Sequence, residues 1–414
     1  MNDPAWINAA LAAARPQAVA ALLRYFRDLD VAEEAFQDAC LRALARWSEH
    51  GPPRDPAAWL ILVGRNCALD GLRRKAKFEL LTDAPPEDAV DEGEDELVDR
   101  LDGSHFRDDV LRLLFVCAHP SLPPAQQVAL ALRVVSGLSV KEIARAFLVS
   151  ESAMEQRITR AKRAVRDAQV PFEAPGAPER AQRIAAVAAM IYLVFNEGYS
   201  ASGGEEHVRV ALCDEAIRLA RLLLRLFVGE SELQGLLALL LLQHARAAAR
   251  VDADGNLVLL DSQDRSLWDR EAIAEGLAMV DKILRAGPVG SYGLQAAIAA
   301  VHLRAPDAKA TDWAAIDRLY AALETVQPSP VVTLNRAVAV AKVRGAAAAL
   351  ALVDPLGERL ASYFHFHGVR GALLLELDRR DEARLAFGHA IALAHTPAEA
   401  AHIRMHLDRL GAAG

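Results

Sequence analysis

The chain has 414 residues, too many for one ordinary domain, and hydrophobic residues make up 53% of it. Aromatic residues are only 6%, and alternating runs of Val, Ile and Thr are nearly absent, so the abundance of Ala and Leu predicts helices. The net charge of −8 excludes a uniformly basic nucleic-acid binder, although a local basic patch can still dominate the local field.

Cysteine spacing and apolar run length bear on redox state and membrane insertion. The four cysteines are scattered without a CxxC pair, which predicts neither a disulfide framework nor a cysteine metal site and is typical of a cytoplasmic protein. The longest apolar run, at 236–242, is too short to cross a bilayer. We therefore expect a buried helix there and no membrane partner.

Composition divides the chain into four segments. Residues 1–78 are helical and end in a basic cluster, residues 79–104 are acidic, residues 105–170 form a second helical block with a basic end, and residues 171–414 are rich in Ala and Leu. The acidic segment has little apolar surface to bury, which predicts a flexible linker. The expected fold is therefore all-α, with two small helical domains joined by an acidic linker and followed by a helical-repeat C-terminal domain.

The first block contains two predicted helices. Apolar residues recur at helical spacing over 29–44, as far as Leu44, with Asp30 as the expected N-cap. A second helix over 57–74 carries Trp59, which we expect in the core, and ends in basic residues. Basic side chains at a helix C-terminus either complement the helix dipole or hold phosphates, and both interpretations stay open here.

The second block has the pattern of a helix-turn-helix. Ser139 and Glu142 have the spacing of a capping box, and Ser150 is placed to cap a second helix. The apolar positions predict a buried face made by Ile143, Ala144, Phe147, Ala153, Met154 and Ile158. Such a motif places its second helix in a DNA major groove, although a plain helical hairpin with a solvated basic side is the alternative. The residues left facing outward, which we predict to contact DNA, are Ser152, Glu155, Gln156, Arg157, Arg160, Lys162 and Arg163.

Taken together, the two blocks resemble extracytoplasmic-function (ECF) sigma factors of RNA polymerase. The stretch 30–44 is similar to the core-binding segment of the second sigma domain, 59–74 to the helix that reads the minus-ten element, and 122–163 to the fourth sigma domain, which reads the minus-thirty-five element. The remaining residues resemble the tetratricopeptide-like C-terminal extension of one group of these factors. The resemblance implies core RNA polymerase and promoter DNA as partners, and regulation by the attached extension.

The resemblance also implies roles for individual residues. The loop at 50–55 would receive a flipped base, and a basic groove would hold the melted single strand. The residues that would contact polymerase are Phe36, Gln37, Asp38 and Arg42. Those that would face the minus-ten strand are Asn66, Asp70, Arg73, Arg74, Lys75 and Lys77.

The C-terminal half predicts helical hairpins, at 330–352 and at 368–390, the second with Asp381 as a cap. The stretch 252–268 begins like a calcium loop but lacks the Gly and terminal Glu of an EF-hand, so we expect a turn into a short buried segment with Asp264 and Arg265 paired. The sequence contains no nucleophile elbow, phosphate loop or acid pair. We therefore predict no catalytic residue, no metal and no cofactor.

These observations favour a promoter-recognition subunit that is not an enzyme and whose activity is regulated by its helical extension. One alternative is a conventional helix-turn-helix regulator with a helical-repeat sensor, which would need only the second block. Another is a ligand-binding or enzymatic C-terminal domain with an accessory DNA-binding module. Binding to core RNA polymerase separates the first of these hypotheses from the others.

Overall fold

A computed structural model describes residues 5–51, 53–78, 103–147, 149–168, 177–199, 206–250, 258–394 and 397–412. Helices account for the regular structure of these residues, and no strand occurs among them, which confirms the all-α prediction. The chain divides into two compact units, Met1–Glu197 and Gly198–Gly414.

The helices of the first unit include those of both sigma-like blocks. They are α1 (Ala5–Phe26), α2 (Leu29–His50), α3 (Pro56–Phe78), α4 (Gly103–Cys117), α5 (Pro124–Val134), α6 (Val140–Ala146), α7 (Glu151–Asp167) and α8 (Ala177–Tyr199), the last of which ends at the start of the second unit.

Helices α1, α2 and α3 share one apolar core. Trp47 of α2 is fully buried, and its ring centroid lies 5.3 Å from that of Trp59, which confirms the core position expected for Trp59. Gly64 lets α3 approach α2 closely, because a Cβ at that position would lie 2.8 Å from the backbone oxygen of Ala35. The N-cap of α2 is Asp28 rather than Asp30: the Asp28 carboxylate accepts from the backbone N–H groups of Asp30 and Val31.

The two predicted small domains lie in one compact unit. Helix α4 packs on α1, and the buried Asp109 of α4 pairs with Arg24 of α1 at 3.1 Å. Helix α8, predicted within the C-terminal extension, contributes Arg183 to the same unit, where its guanidinium lies over the Phe115 ring. Most of the predicted acidic linker, 79–102, lies outside the described residues.

The second unit is built from consecutive helices that pack against their neighbours. They are α9 (Glu206–Leu226), α10 (Ser231–His244), α11 (Arg270–Ala286), α12 (Ser291–Arg304), α13 (Trp313–Val326), α14 (Pro330–Arg344), α15 (Ala346–Val353), α16 (Phe364–Glu376), α17 (Arg380–Ala392) and α18 (Pro397–Ala412).

Helix α10 forms the centre of the first half of this unit. Its run at 236–242 is buried throughout, as predicted. Gly235 of α10 faces Gly293 of α12 so closely that a Cβ on Gly235 would lie 2.5 Å from the Gly293 nitrogen. The absence of a side chain at Gly235 allows the two backbones to touch.

The predicted hairpins are present as the pairs α14–α15 and α16–α17. In the second pair, Gly371 of α16 leaves room for the buried ring of Phe387 on α17. Asp381 lies inside the first turn of α17 and does not cap it. Arg379 occupies the cap position, and its side chain pairs with Glu382 instead of capping the helix.

The stretch that resembles a calcium loop differs from the expectation. Residues 251–257 lie outside the described residues, and 258–268 form two short 3₁₀ turns that are largely exposed. Asp264 caps the second turn by accepting from the Ser266 N–H. The predicted Asp264–Arg265 pair is therefore wrong: Arg265 donates instead to the backbone oxygens of His302 and Ala305, which α12 leaves unpaired at its end.

Candidate nucleic-acid interface

Helices α6 and α7 form the predicted helix-turn-helix. Ser139 accepts from the Glu142 N–H while the Glu142 carboxylate accepts from the Ser139 N–H, which confirms the capping box. The Ser139 hydroxyl and the Ser139 N–H both donate to the Glu142 carboxylate and lower the pKa of Glu142. The Ser150 hydroxyl accepts from the Ala153 N–H and fixes the start of α7, as predicted.

One face of α7 packs into the unit and the opposite face is open to solvent. Met154, Ile158 and Ala161 are buried. Ala153, expected on the same face, is exposed, because it lies about 100° around the helix from Met154. Phe147 is only half-buried, and the Arg157 guanidinium lies 5.7 Å from its ring centroid.

The exposed side of α7 carries most of the residues predicted to contact DNA. Arg160 donates to the Gln156 side-chain oxygen at 3.4 Å, so these two groups are held together on the outer face. Arg163 is also exposed and lies 3.6 Å from Asp167 one turn later. The predicted residues that are exposed in the structure are Ser152, Glu155, Gln156, Arg160 and Arg163, whereas Arg157 and Lys162 are half-buried.

Lys162 is directed to α2 instead of outward. Its ammonium group lies 2.7 Å from the Asp30 carboxylate and 2.5 Å from that of Glu33, and only 17% of its side chain is exposed. These carboxylates raise the pKa of Lys162 against the effect of burial. Arg166, one turn further along α7, also pairs with Asp30, at 2.5 Å.

Glu33 is the buried centre of this ion cluster. Arg15 of α1 donates to Glu33 at 3.3 Å and to the Val134 backbone oxygen at the end of α5. Arg133 lies 3.8 Å from the same carboxylate. Gly137 adopts a positive φ of 77° beside Arg15, where a Cβ would lie 2.8 Å from the Arg15 side chain. We call this set of residues, Arg15, Asp30, Glu33, Arg133, Lys162 and Arg166, the Glu33 cluster.

The predicted minus-ten residues follow one another along the C-terminal half of α3. Asn66 and Asp70 are half-buried. Arg73, Arg74, Lys75 and Lys77 belong to the last turns of the helix, and their side chains lie outside the described residues. In the loop before α3, Asp55 accepts from the N–H groups of Ala57 and Ala58 and so fixes the helix start.

The predicted polymerase-binding residues do not share one environment. Phe36 is 3% exposed and lies under the Arg15 guanidinium, so it packs α2 into the core. Gln37, Asp38 and Arg42 are exposed. Beside them, Leu41 and Leu44 are 67% and 41% exposed. The prediction that Leu44 belongs to the buried face is wrong, and Leu41 was not identified from the sequence, although its position next to Arg42 on a polar face was a signal.

Family models match both blocks of the first unit. Sigma-70 region 2 matches residues 11–78, and Sigma-70, region 4 matches residues 112–165. The chain belongs to the sigma-70 family of RNA polymerase sigma factors. Its two sigma regions and C-terminal extension fit an ECF-like sigma factor. Region 4 covers both helices of the helix-turn-helix, and region 2 covers α2 and α3.

The C-terminal extension of this sigma factor is matched in part by a family of unknown function (DUF6596), over residues 183–284. An uncharacterized protein of Rhizobium meliloti (strain 1021) is 64% identical over 415 residues, which cover 100% of this chain and 97% of that protein. Among the described residues, no helix is long and apolar enough to cross a membrane, and no group of three or more His, Cys, Asp or Glu could hold a metal ion.

Proposed function

We propose that this sigma factor reads the minus-thirty-five element with the outer face of α7 and the minus-ten element with the C-terminal half of α3, and that its C-terminal extension regulates this activity. The observation that carries the proposal is the exposed Gln156–Arg160 pair on a helix whose start is fixed by Ser150. Arg and Gln side chains read base edges in the major groove, while neighbouring basic residues hold phosphates.

Substitution in α7 tests the DNA contact. We expect Arg160→Ala to weaken binding to a minus-thirty-five fragment at least about 5-fold, because a base contact contributes about 1–3 kcal/mol. Arg157→Ala should also weaken binding, partly by releasing Phe147. The matched control is Arg285→Ala, an exposed arginine of the second unit. Equal affinities for the two single-arginine variants Arg160→Ala and Arg285→Ala would contradict the assignment.

Polymerase binding is assigned to the exposed face of α2. Gln37, Asp38, Arg42, Leu41 and Leu44 together form a surface on which two leucines are in contact with water. Burying one leucine side chain contributes about 1.5–3 kcal/mol. We therefore expect Leu41→Ser to weaken binding to core RNA polymerase at least 10-fold, measured by competition against the wild-type chain.

A matched control separates polymerase contact from surface hydrophobicity. Leu385 of the second unit is also 67% exposed, so Leu385→Ser removes the same side chain at the same exposure. Loss of polymerase binding in both variants, or in neither, would refute the α2 assignment. A chain that binds promoter fragments but never binds core polymerase would instead be a conventional regulator.

The Glu33 cluster holds α7 against α2 and so keeps it close to α3, yet promoter recognition requires α3 and α7 to lie on separate elements. The two promoter elements lie about 25 base pairs apart, which is roughly 85 Å at about 3.4 Å per base pair. Helix α3 packs on α2, and α7 is joined to α2 at 2.5–2.7 Å, so α3 and α7 cannot lie on both elements at once in this arrangement. The first unit must therefore open along the Glu33 cluster when the sigma factor engages polymerase and promoter.

A further inference from the structure

In the part of the second unit that the structure describes, two half-buried arginines lack a carboxylate partner of the kind that Arg221 and Arg336 have. Arg246 and Arg250 flank the 3₁₀ turn Ala247–Ala249 that follows α10, and both are half-buried. By contrast, Arg221 pairs with Glu275 through two contacts of 2.6 Å, and Arg336 pairs with Asp317 at 2.8 Å. Within the described residues, neither Arg246 nor Arg250 contacts a carboxylate.

Tyr199 brings the two guanidinium groups together. The Arg250 carbon Cζ lies 3.6 Å from the Tyr199 ring centroid, and Arg250 donates to the Tyr199 backbone oxygen at 2.8 Å. Arg246 donates to the Tyr199 hydroxyl at 3.0 Å and to the Gln243 side-chain oxygen at 2.6 Å. A guanidinium has five N–H groups, so both arginines keep donors that these neutral contacts do not use.

The surroundings of this pair are cationic. Burial lowers the pKa of Arg250, and so does the charge of Arg246, while Tyr199 acts in the opposite direction. Burial, with Arg246 and Arg265 nearby, lowers the pKa of His302 to about 4, while the exposed Asp261 acts in the opposite direction. Half-buried like charges without a counter-charge are unfavourable, and a bound anion removes that cost.

We propose that Tyr199, Gln243, Arg246 and Arg250 form a binding site for a small oxyanion, a molecule that carries a carboxylate or phosphate group. The planar guanidinium fork matches both groups in geometry and charge. The tyrosine ring and the glutamine oxygen hold the two forks in place before the ligand arrives, which lowers the ordering cost of binding. The regulatory consequence, a sigma factor whose extension senses an anionic metabolite, rests on the proposed function; the site itself does not.

Thermal unfolding of the full chain tests the site. Sodium phosphate and sodium citrate are compared with sodium chloride at equal ionic strength, so that phosphate and carboxylate ligands are told apart. A saturating ligand should raise the Tm by about 2–4 °C, since only the folded chain binds it. Calorimetric titration of the same anion into the chain should give a stoichiometry of one. No rise in Tm with either anion would overturn the proposal.

Gln243→Glu gives the sharpest variant, because it places a carboxylate where the Gln243 oxygen already accepts from Arg246 and Tyr199. We expect this variant to have a higher Tm than wild type without anion and to lose the response to anion. Gln234→Glu, which adds the same charge on the opposite side of α10, is the control and should keep the response. A full anion response in Gln243→Glu would overturn the site.

Asp252 and Asp254 follow Arg250 in the sequence and offer an internal source of negative charge. If they neutralised the arginines, Asp252→Asn with Asp254→Asn would lower the Tm and create an anion response that wild type lacks. That result would overturn the proposal. An anion response of equal size in wild type and in this double variant supports it. Promoter binding takes no part in these measurements, so failure of the site and failure of the proposed function are distinguishable.

Discussion

The Glu33 cluster and the Arg246–Arg250 pair use similar cations in opposite ways. In the first unit, the Glu33 carboxylate forms ion pairs with Arg15, Arg133 and Lys162, so these positive charges are neutralised within the chain. In the second unit, Arg246 and Arg250 contact Tyr199 and Gln243, neither of which is a carboxylate. The first arrangement joins helices that are distant in sequence, whereas the second leaves positive charge available to a ligand. A central carboxylate makes the Glu33 cluster a structural ion cluster. The lack of one among the described residues leaves the Arg246–Arg250 pair able to bind an anion.

The strongest test of this comparison removes the carboxylate from the first cluster. Glu33→Gln leaves three cations around a neutral, buried side chain, and losing one partner of a buried ion cluster costs about 3–5 kcal/mol. Urea unfolding should show this loss in the free energy of unfolding. Glu34→Gln, at the exposed neighbouring position, should change it by less than about 0.5 kcal/mol. Similar losses in both variants would remove the special role of Glu33.

A second test uses the cationic surroundings of His302. Its pKa is about 4 in the folded chain and about 6.5 as the ordinary value, so between these pH values the unfolded chain binds a proton that the folded chain does not. The stability from a neutral His302 is therefore complete above pH 6.5 and is lost as the pH falls towards 4. The full loss is about 3 kcal/mol.

Measuring stability against pH for His302→Gln as well separates the effect of His302 from that of the carboxylates, which titrate in an overlapping pH range. The variant should be less sensitive to acid than wild type over this range, because it has no imidazole to protonate. Parallel stability curves for the two chains would show that His302 takes no part. A bound anion should reduce the difference between the chains, since it offsets the charge of Arg246.

The smallest expected change in the free energy of unfolding comes from Asp30, at the exposed edge of the Glu33 cluster. Asp30 pairs with Lys162 and Arg166 but is half exposed, so Asp30→Asn should cost less than about 1 kcal/mol, and less still at high salt. These cations lower the pKa of Asp30, so its contribution is present above its ordinary pKa and is lost only as acid protonates the folded carboxylate. The same substitution should ease the separation of α2 from α7 and strengthen binding to a minus-thirty-five fragment.

Sequence patterns predicted those features that neighbouring residues determine. The Ser139–Glu142 capping box and the Ser150 cap depend on partners within about four residues, and the buried run of α10 follows from its unbroken apolar sequence. All three predictions are confirmed. The order of the sigma regions also followed from motif order. Errors at this level were small shifts within a turn, such as Asp28 in place of Asp30 as the cap of α2.

Tertiary structure alone decided which polar side chains stay exposed to contact DNA or a ligand and which pair within the chain. Lys162 has the outward-facing pattern of its neighbours, yet it meets Asp30 from 132 residues earlier in the chain. Tyr199 and Arg250 are 51 residues apart and show no spacing that links them. Helical periodicity states which face of a helix is apolar, but not which helix that face meets or which polar residues at its border are covered. Those contacts are set by packing between distant segments, which is why the amino-acid sequence by itself determined the helices and the family, and the folded chain determined the ion cluster and the arginine pair.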